Sequence, residues 1–143
     1  MIKEKLSIVK ENSSTCVKYM LMNENKECLS SLCVERKTIT TKYKALYLCD
    51  FSTKRYFRNK GYGKLLLTKI INRYKGKYDK LYLYACPFYI SPFDGVLYSA
   101  PDNGLKLDKL IKFYESAGLK KQGRIKYDNI YGYKYQTMTI NLK

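Results

Sequence analysis

Arg58-Asn59-Lys60-Gly61-Tyr62-Gly63 stands between Tyr43-Lys44-Ala45-Leu46-Tyr47-Leu48-Cys49-Asp50-Phe51-Ser52-Thr53 and Lys64-Leu65-Leu66-Leu67-Thr68-Lys69-Ile70-Ile71-Asn72-Arg73-Tyr74, and the fold is read from this stretch. The first flank, rich in aromatic and aliphatic side chains, has strand character. In the second, Leu66, Leu67, Ile70, Ile71 and Tyr74 form an apolar stripe at helical spacing, and Gly76 supplies the stop. The reading is a central strand, a basic glycine turn over Lys54–Gly63, and a helix opened by Lys64. Two glycines let backbone approach a ligand closely, and the amides and positive dipole end of a helix start form an anion site. Arg58, Lys60 and Lys64 add charge there, which suits a pyrophosphate. Taken alone, such a turn equally fits a plain strand-to-helix connection. The pattern is neither G-x-x-x-x-G-K-[ST] nor G-x-G-x-x-G, so nucleoside triphosphate and dinucleotide loops lose ground.

Before this stretch, Leu6–Val9, Cys16–Met22 and Cys28–Val34 lean to strand, and Asn23-Glu24-Asn25-Lys26 forms a turn between the last two. After it come a strand at Leu81–Cys86 broken by Pro87, an irregular loop over Phe88–Gly104, and a helix over Leu105–Ala117 stopped by Gly118. That helix carries Leu107, Leu110, Ile111 and Tyr114 on one stripe. Strands at about Lys120–Tyr127 and Tyr133–Leu142 suit a hairpin. The order β-β-β-β-α-β-α-β-β predicts an α+β fold in one domain spanning residues 1–143, without repeat or linker.

The chain has no histidine, which removes Ser-His-Asp triads, Cys-His pairs and His-based metal sites; no metal is expected. Its five cysteines lack C-x-x-C spacing and read as small reduced core residues. No apolar run reaches the roughly 20 residues of a membrane span, and the N-terminus lacks a signal peptide's apolar block. A cytoplasmic protein with no membrane partner is expected. The formal charge of +16, from 28 Lys and Arg against 12 Asp and Glu, attracts anionic partners. Nucleic acid, a polyphosphate coenzyme with an acidic substrate, or a solvated lysine-rich surface would each account for it.

Phe113-Tyr114-Glu115-Ser116-Ala117-Gly118-Leu119 closes the second helix. With Arg58-Asn59-Lys60-Gly61-Tyr62-Gly63 earlier, it makes the chain resemble the GNAT family of acyl-CoA N-acyltransferases. Those proteins carry R/Q-x-x-G-x-G/A at a strand-to-helix turn and F/L-Y-E-x-x-G-F at a later helix end. The resemblance runs from about Tyr43 to Leu119. It implies a mixed, mostly antiparallel central sheet flanked by helices, and acetyl transfer from acetyl-CoA to a primary amine. Arg58, Asn59, Lys60, Gly61, Tyr62, Gly63 and Lys64 then match the segment that holds the coenzyme pyrophosphate. Phe51, Ser52 and Thr53 match the strand end that bonds the pantetheine arm and splays from the next strand at a bulge. Tyr114 matches the tyrosine that often protonates the departing thiolate; without the motif it reads as a helix-face core residue, as Phe113 and Leu110 still do.

The chain departs from the family pattern in having Leu107 where many relatives have a coenzyme-touching Asn, with Asn103 further upstream. The N-terminal region is also short for the family's usual helix pair, so the loop Pro87–Gly104 is the candidate cover for the acceptor side. General-base candidates are Glu35, Asp50, Asp94 and Asp102, each of which also reads as a solvated carboxylate; water or a neutral amine can make a base unnecessary. The acceptor is open, though a cationic surface disfavours polycationic amines. A basic nucleic-acid-binding module, and acetylation of a nucleic-acid-linked amine such as aminoacyl-tRNA, remain as alternatives. The oligomeric state is open, a dimer included.

Overall fold

The computed structural model describes residues 5–38, 40, 42–53, 60–86, 88–90, 97–99, 106–130 and 133–143. They fall into two compact units, Met1–Leu81 with Asn141–Lys143, and Tyr82–Ile140.

In the first unit, β1 (Ser7–Asn12), β2 (Cys16–Met22), β3 (Cys28–Thr38) and β4 (Lys44–Thr53) pair antiparallel in chain order. Helix α1 (Tyr62–Tyr74) packs against β2, β3 and β4. Alternation along the strands turns Val17, Tyr19, Leu21, Leu32, Val34, Leu46 and Leu48 inward, where they bury with Leu66, Leu67, Ile70 and Ile71 of α1. The turn before β3 is tied by Asn23, whose Oδ1 accepts the amides of Asn25 and Glu27 at 3.0 and 2.9 Å.

Two buried tyrosines fasten the far end of α1: the Tyr19 and Tyr74 hydroxyls hydrogen-bond, and Tyr78 meets the Tyr74 ring edge-on. Asp79 closes this end of the unit. Its Oδ2 accepts the Lys44 amide at 2.7 Å and its Oδ1 pairs with Lys143 Nζ at 2.9 Å. The backbone bond to Lys44 first, then the Lys143 ammonium, hold the Asp79 carboxyl below its ordinary range.

The second unit takes up β5 (Lys80–Ala85), which begins in the first. It adds the short hairpin β6 (Phe88–Ile90) and β7 (Leu97–Ser99), helix α2 (Leu107–Ser116), β8 (Lys120–Lys121), β9 (Lys126–Asp128) and β10 (Tyr133–Asn141). Strand β10 lies between β5 and β8 and also pairs β9, antiparallel to both β8 and β9.

Differences from the sequence reading are local. The loop expected over Phe88–Gly104 contains the antiparallel strands β6 and β7, each only three residues long, too short to stand out in sequence among proline and glycine signals. The expected strand Lys120–Tyr127 is two short strands with Gly123 at φ 74 between them. Helix α1 starts at Tyr62, two residues early, because Gly61 rather than Gly63 is the N-cap. Helix α2 buries Ile111 and Tyr114, whereas Leu110 and Phe113 are half-buried. None of the five cysteines is in the core. Cys16, Cys33 and Cys49 alternate out of phase with the buried residues and so lie on the strand faces turned from α1.

No helix among the described residues is long and apolar enough to cross a membrane, and no group of His, Cys, Asp or Glu there is placed to hold a metal ion.

Candidate functional site

The site begins at an irregularity in β4. Cys33 pairs with Cys49 and Ser31 with Ser52, so one residue of β3, Leu32, faces two of β4, Asp50 and Phe51. This is a bulge, and Asp50 takes the left-handed conformation at φ 48. Its consequence is a change of parity. Upstream, Leu46 and Leu48 point inward; beyond the extra residue it is Phe51 and Thr53 that turn toward α1, while Ser52 is exposed.

Those two side chains meet the first turn of the helix. A Cβ on Gly63 would lie 3.0 Å from Thr53 Oγ1 and 3.5 Å from the Phe51 ring, so the close approach of β4 to α1 favours glycine. Gly61, at φ 84, turns the chain into the helix, and its carbonyl accepts the first helical bond from Leu65 at 3.0 Å.

Thr53 is held from the other side by Ser30, a residue sequence reasoning missed. Ser30 is buried, and its hydroxyl donates to the Ser52 carbonyl at 2.9 Å. With its proton committed there, Ser30 Oγ accepts from the Thr53 hydroxyl at 3.0 Å. The available signal was a serine at an inward position of the otherwise apolar series Ser30, Leu32, Val34.

Electrostatically the helix start is bare. It has no side-chain cap and no acidic residue in its first turn, and helix geometry leaves the Gly63 and Lys64 amides without an acceptor inside the helix. Lys60 and Lys64 are exposed beside it. Between Lys54 and Tyr78 the sequence holds nine Lys or Arg and no Asp or Glu. The donor set is therefore suited to a phosphate-bearing group.

The structure thus brings together Phe51, Thr53, Gly61 and Gly63, with Ser52 engaged through its carbonyl and Lys60, Tyr62 and Lys64 alongside. Arg58, Asn59, Asn103 and the base candidates Asp94 and Asp102 lie outside the described residues. Of the other two base candidates, Asp50 is the exposed bulge residue, and Glu35 pairs with Lys37 at 3.0 Å.

Tyr114 belongs to the second unit. It is buried on α2, with Phe113 stacked on its ring at a centroid distance of 5.2 Å. Burial, with the Cys86 sulfur as a lesser cause, holds its phenol well above the ordinary value near 10. The backbone around it ends α2 abruptly. The Leu119 amide bonds the Tyr114 carbonyl at 3.1 Å and the Gly118 amide bonds the Glu115 carbonyl at 3.0 Å, a Schellman closure with Gly118 at φ 101. The F-Y-E-x-x-G-L motif is thus a helix stop, with Gly118 as its left-handed residue.

No protein-family model and no curated protein matches the chain. Solved structures do. The spermidine N-acetyltransferase of Vibrio cholerae, in complex with CoA and spermine, superposes with a TM-score of 0.62 over 90% of this chain and 67% of its own, at 13% identity. A chimera of that enzyme, SpeG, with hSSAT gives a TM-score of 0.65 over 92% and 68%, at 11% identity. Arabidopsis thaliana NAA60, in complex with a bisubstrate analogue, gives 0.63 over 91% and 77%, at 10% identity. The chain has the GNAT fold. The mostly antiparallel strand pairings and the two helices among the described residues agree with the fold that the resemblance implied, and β4 carries a bulge beside Phe51–Thr53, in its pairing with β3.

Proposed function

We propose that this protein is an N-acetyltransferase that moves an acetyl group from acetyl-CoA to a primary amine. The observation that carries the reading is the Asp50 bulge, which turns Phe51 and Thr53 onto Gly63 at the start of an uncapped, acid-free helix. The GNAT fold supports it, and so do the neighbours solved with CoA and spermine and with a bisubstrate analogue.

In this reading Lys60, Gly61, Tyr62, Gly63 and Lys64, with Arg58 and Asn59, hold the pyrophosphate through backbone amides and cationic side chains. The end of β4, Phe51 to Thr53, receives the pantetheine arm. The coenzyme supplies an activated thioester, whose carbonyl is open to attack by an amine. The protein's part is chiefly approximation, holding that carbonyl against backbone donors while orienting the amine. Tyr114 is the proton donor to the departing sulfur; a phenol of ordinary pKa near 10 is already protonated at neutral pH, and burial makes this one a weaker acid that gives up its proton only to a strongly basic thiolate. The acceptor is a neutral or acidic amine, because a protein of formal charge +16 repels polycationic ones.

The test is incubation with acetyl-CoA and a panel of amines, namely neutral amino acids, acidic peptides, spermidine and an aminoacyl-tRNA, read by mass spectrometry. The reading expects one acetyl group added to a neutral or acidic member. Transfer to spermidine alone would overturn the acceptor class, and transfer to none, with no CoA bound, would overturn the activity.

A further inference from the structure

The cations of this protein are unevenly placed. The first unit holds 20 of the 28 Lys and Arg and 7 of the 12 Asp and Glu, which is +13 of the formal +16. Within that unit the acid-free stretch 54–78 is centred on α1, whose outer face carries Lys64, Lys69 and Arg73, followed by Lys75 and Lys77; all are exposed. Thr68 and Asn72, also exposed, lie between them as hydrogen-bonding groups.

A coenzyme at the helix start does not account for this face. At 1.5 Å per residue, Lys69 and Arg73 stand about 10 and about 16 Å along the axis from Tyr62, with Lys75 and Lys77 beyond. The dipole at the helix C-terminus favours a cation in the last turn, which Arg73 already provides. Intramolecular pairing does not account for it either. Among the described residues none of Lys69, Arg73, Lys75 and Lys77 is in an ion pair, and the neighbouring Asp79 is held by Lys143. Arg73 alone has a second role, over the Tyr19 ring at 5.2 Å.

We infer that the outer face of α1, continued through Lys75 and Lys77, is a docking surface for the phosphate backbone of a nucleic acid. Cations spread over the exposed side of the helix, Lys64 at one edge and Lys69 and Arg73 toward the other, with no carboxylate among them, match a polymer of regularly repeated anions. Over the roughly 20 Å of a helix this long, a duplex presents about a dozen phosphates. The face carries no exposed large apolar side chain. It therefore lacks the apolar core of a protein–protein interface and the apolar anchors by which a helix enters a membrane surface. Recognition through such a face is independent of base sequence and strongly dependent on salt.

The test is fluorescence anisotropy with a labelled random-sequence oligonucleotide, single-stranded and duplex, across a salt series, on the wild type and on a Lys69→Glu, Lys77→Glu double variant. The inference expects binding at low salt for the wild type. It also expects a loss of about tenfold or more in the double variant, with a log–log salt slope shallower by about 0.9 for each duplex phosphate contact removed. CoA affinity, measured in parallel, should be the same in both proteins. Absence of wild-type binding at low salt would overturn the inference, as would an unchanged slope in the double variant. Equal binding to vesicles of anionic phospholipid, lost in the same variant, would overturn the choice of nucleic acid.

Discussion

Ser30 Oγ lies 3.0 Å from Thr53 Oγ1 and donates its own proton to the carbonyl of Ser52, so one buried hydroxyl ties down two consecutive residues of β4 just past the bulge. Replacing it with alanine removes both bonds and leaves polar groups in a buried setting. Ser30→Ala is expected to cost about 1–3 kcal/mol of stability and to weaken CoA binding, whereas Ser30→Thr, which keeps the hydroxyl, should retain more of both. Urea unfolding and calorimetry with CoA on the two variants check this; equal loss in both would mean that side-chain volume, not the hydroxyl, is what the site needs.

A methyl group on Gly63 would press on Thr53 Oγ1 at 3.0 Å, closer than an ordinary van der Waals contact. Gly63→Ala is expected to destabilise by about 1–3 kcal/mol through overpacking. In a Thr53→Ala background the same change should cost less, giving a coupling energy of about 1 kcal/mol. Thermal unfolding of the four proteins of this cycle measures it, and strict additivity would show that the two residues do not press on each other.

How far the sequence revealed this arrangement depended on what each residue had to declare. The stripe from Leu66 to Tyr74 announced α1, because a helix buried on one side must place apolar residues at helical spacing. Its start was misplaced because a left-handed glycine N-cap looks, in sequence, the same as a glycine inside a turn. The bulge against β3 had no local signal: Asp50 reads as an ordinary polar strand residue, and its positive φ is imposed by pairing with β3. Ser30 showed only as a serine at an inward strand position; its partners, 22 and 23 residues away, could not be read from its neighbours. The cysteines misled because a small half-buried residue on a strand and a core residue share the same local neighbours. Tyr114 was singled out through its motif, and what the structure shows that motif to encode is the helix stop at Gly118.

Tyr114→Phe is expected to keep coenzyme affinity and to lower turnover, by about 10²-fold if proton donation limits departure of the thiolate. Because burial raises the phenol's pKa, the wild-type rate should show no loss from phenol ionisation across the neutral range. Steady-state kinetics against pH decide it; wild-type turnover in the variant, with chemistry limiting, would assign the proton to water.

Alkaline stability tests the half-buried thiols. Burial first, with Cys16 next, pushes Cys33 from 9.0 to about 11; burial first, with Asp50 next, pushes Cys49 from 9.0 to about 12. Each thiol binds its proton more tightly in the folded protein. Its contribution is therefore fully present below pH 9 and is lost as pH rises from there through the folded values. The buried Tyr74 and Tyr114 phenols, also raised, act in the same sense from about pH 10. Cys49→Ser should shift the fall in melting temperature to higher pH; an unchanged profile would show that other groups govern alkaline unfolding.

The proposed coenzyme site is the centre of the account, and calorimetric titration of CoA into the wild type and into Gly63→Asp tests it most directly. A carboxylate at that position would enter the anion site and crowd Thr53 and Phe51 together. The account predicts saturable binding by the wild type and none by a Gly63→Asp protein that circular dichroism shows to be folded. No CoA binding by the wild type, or undiminished binding by the folded variant, would contradict it.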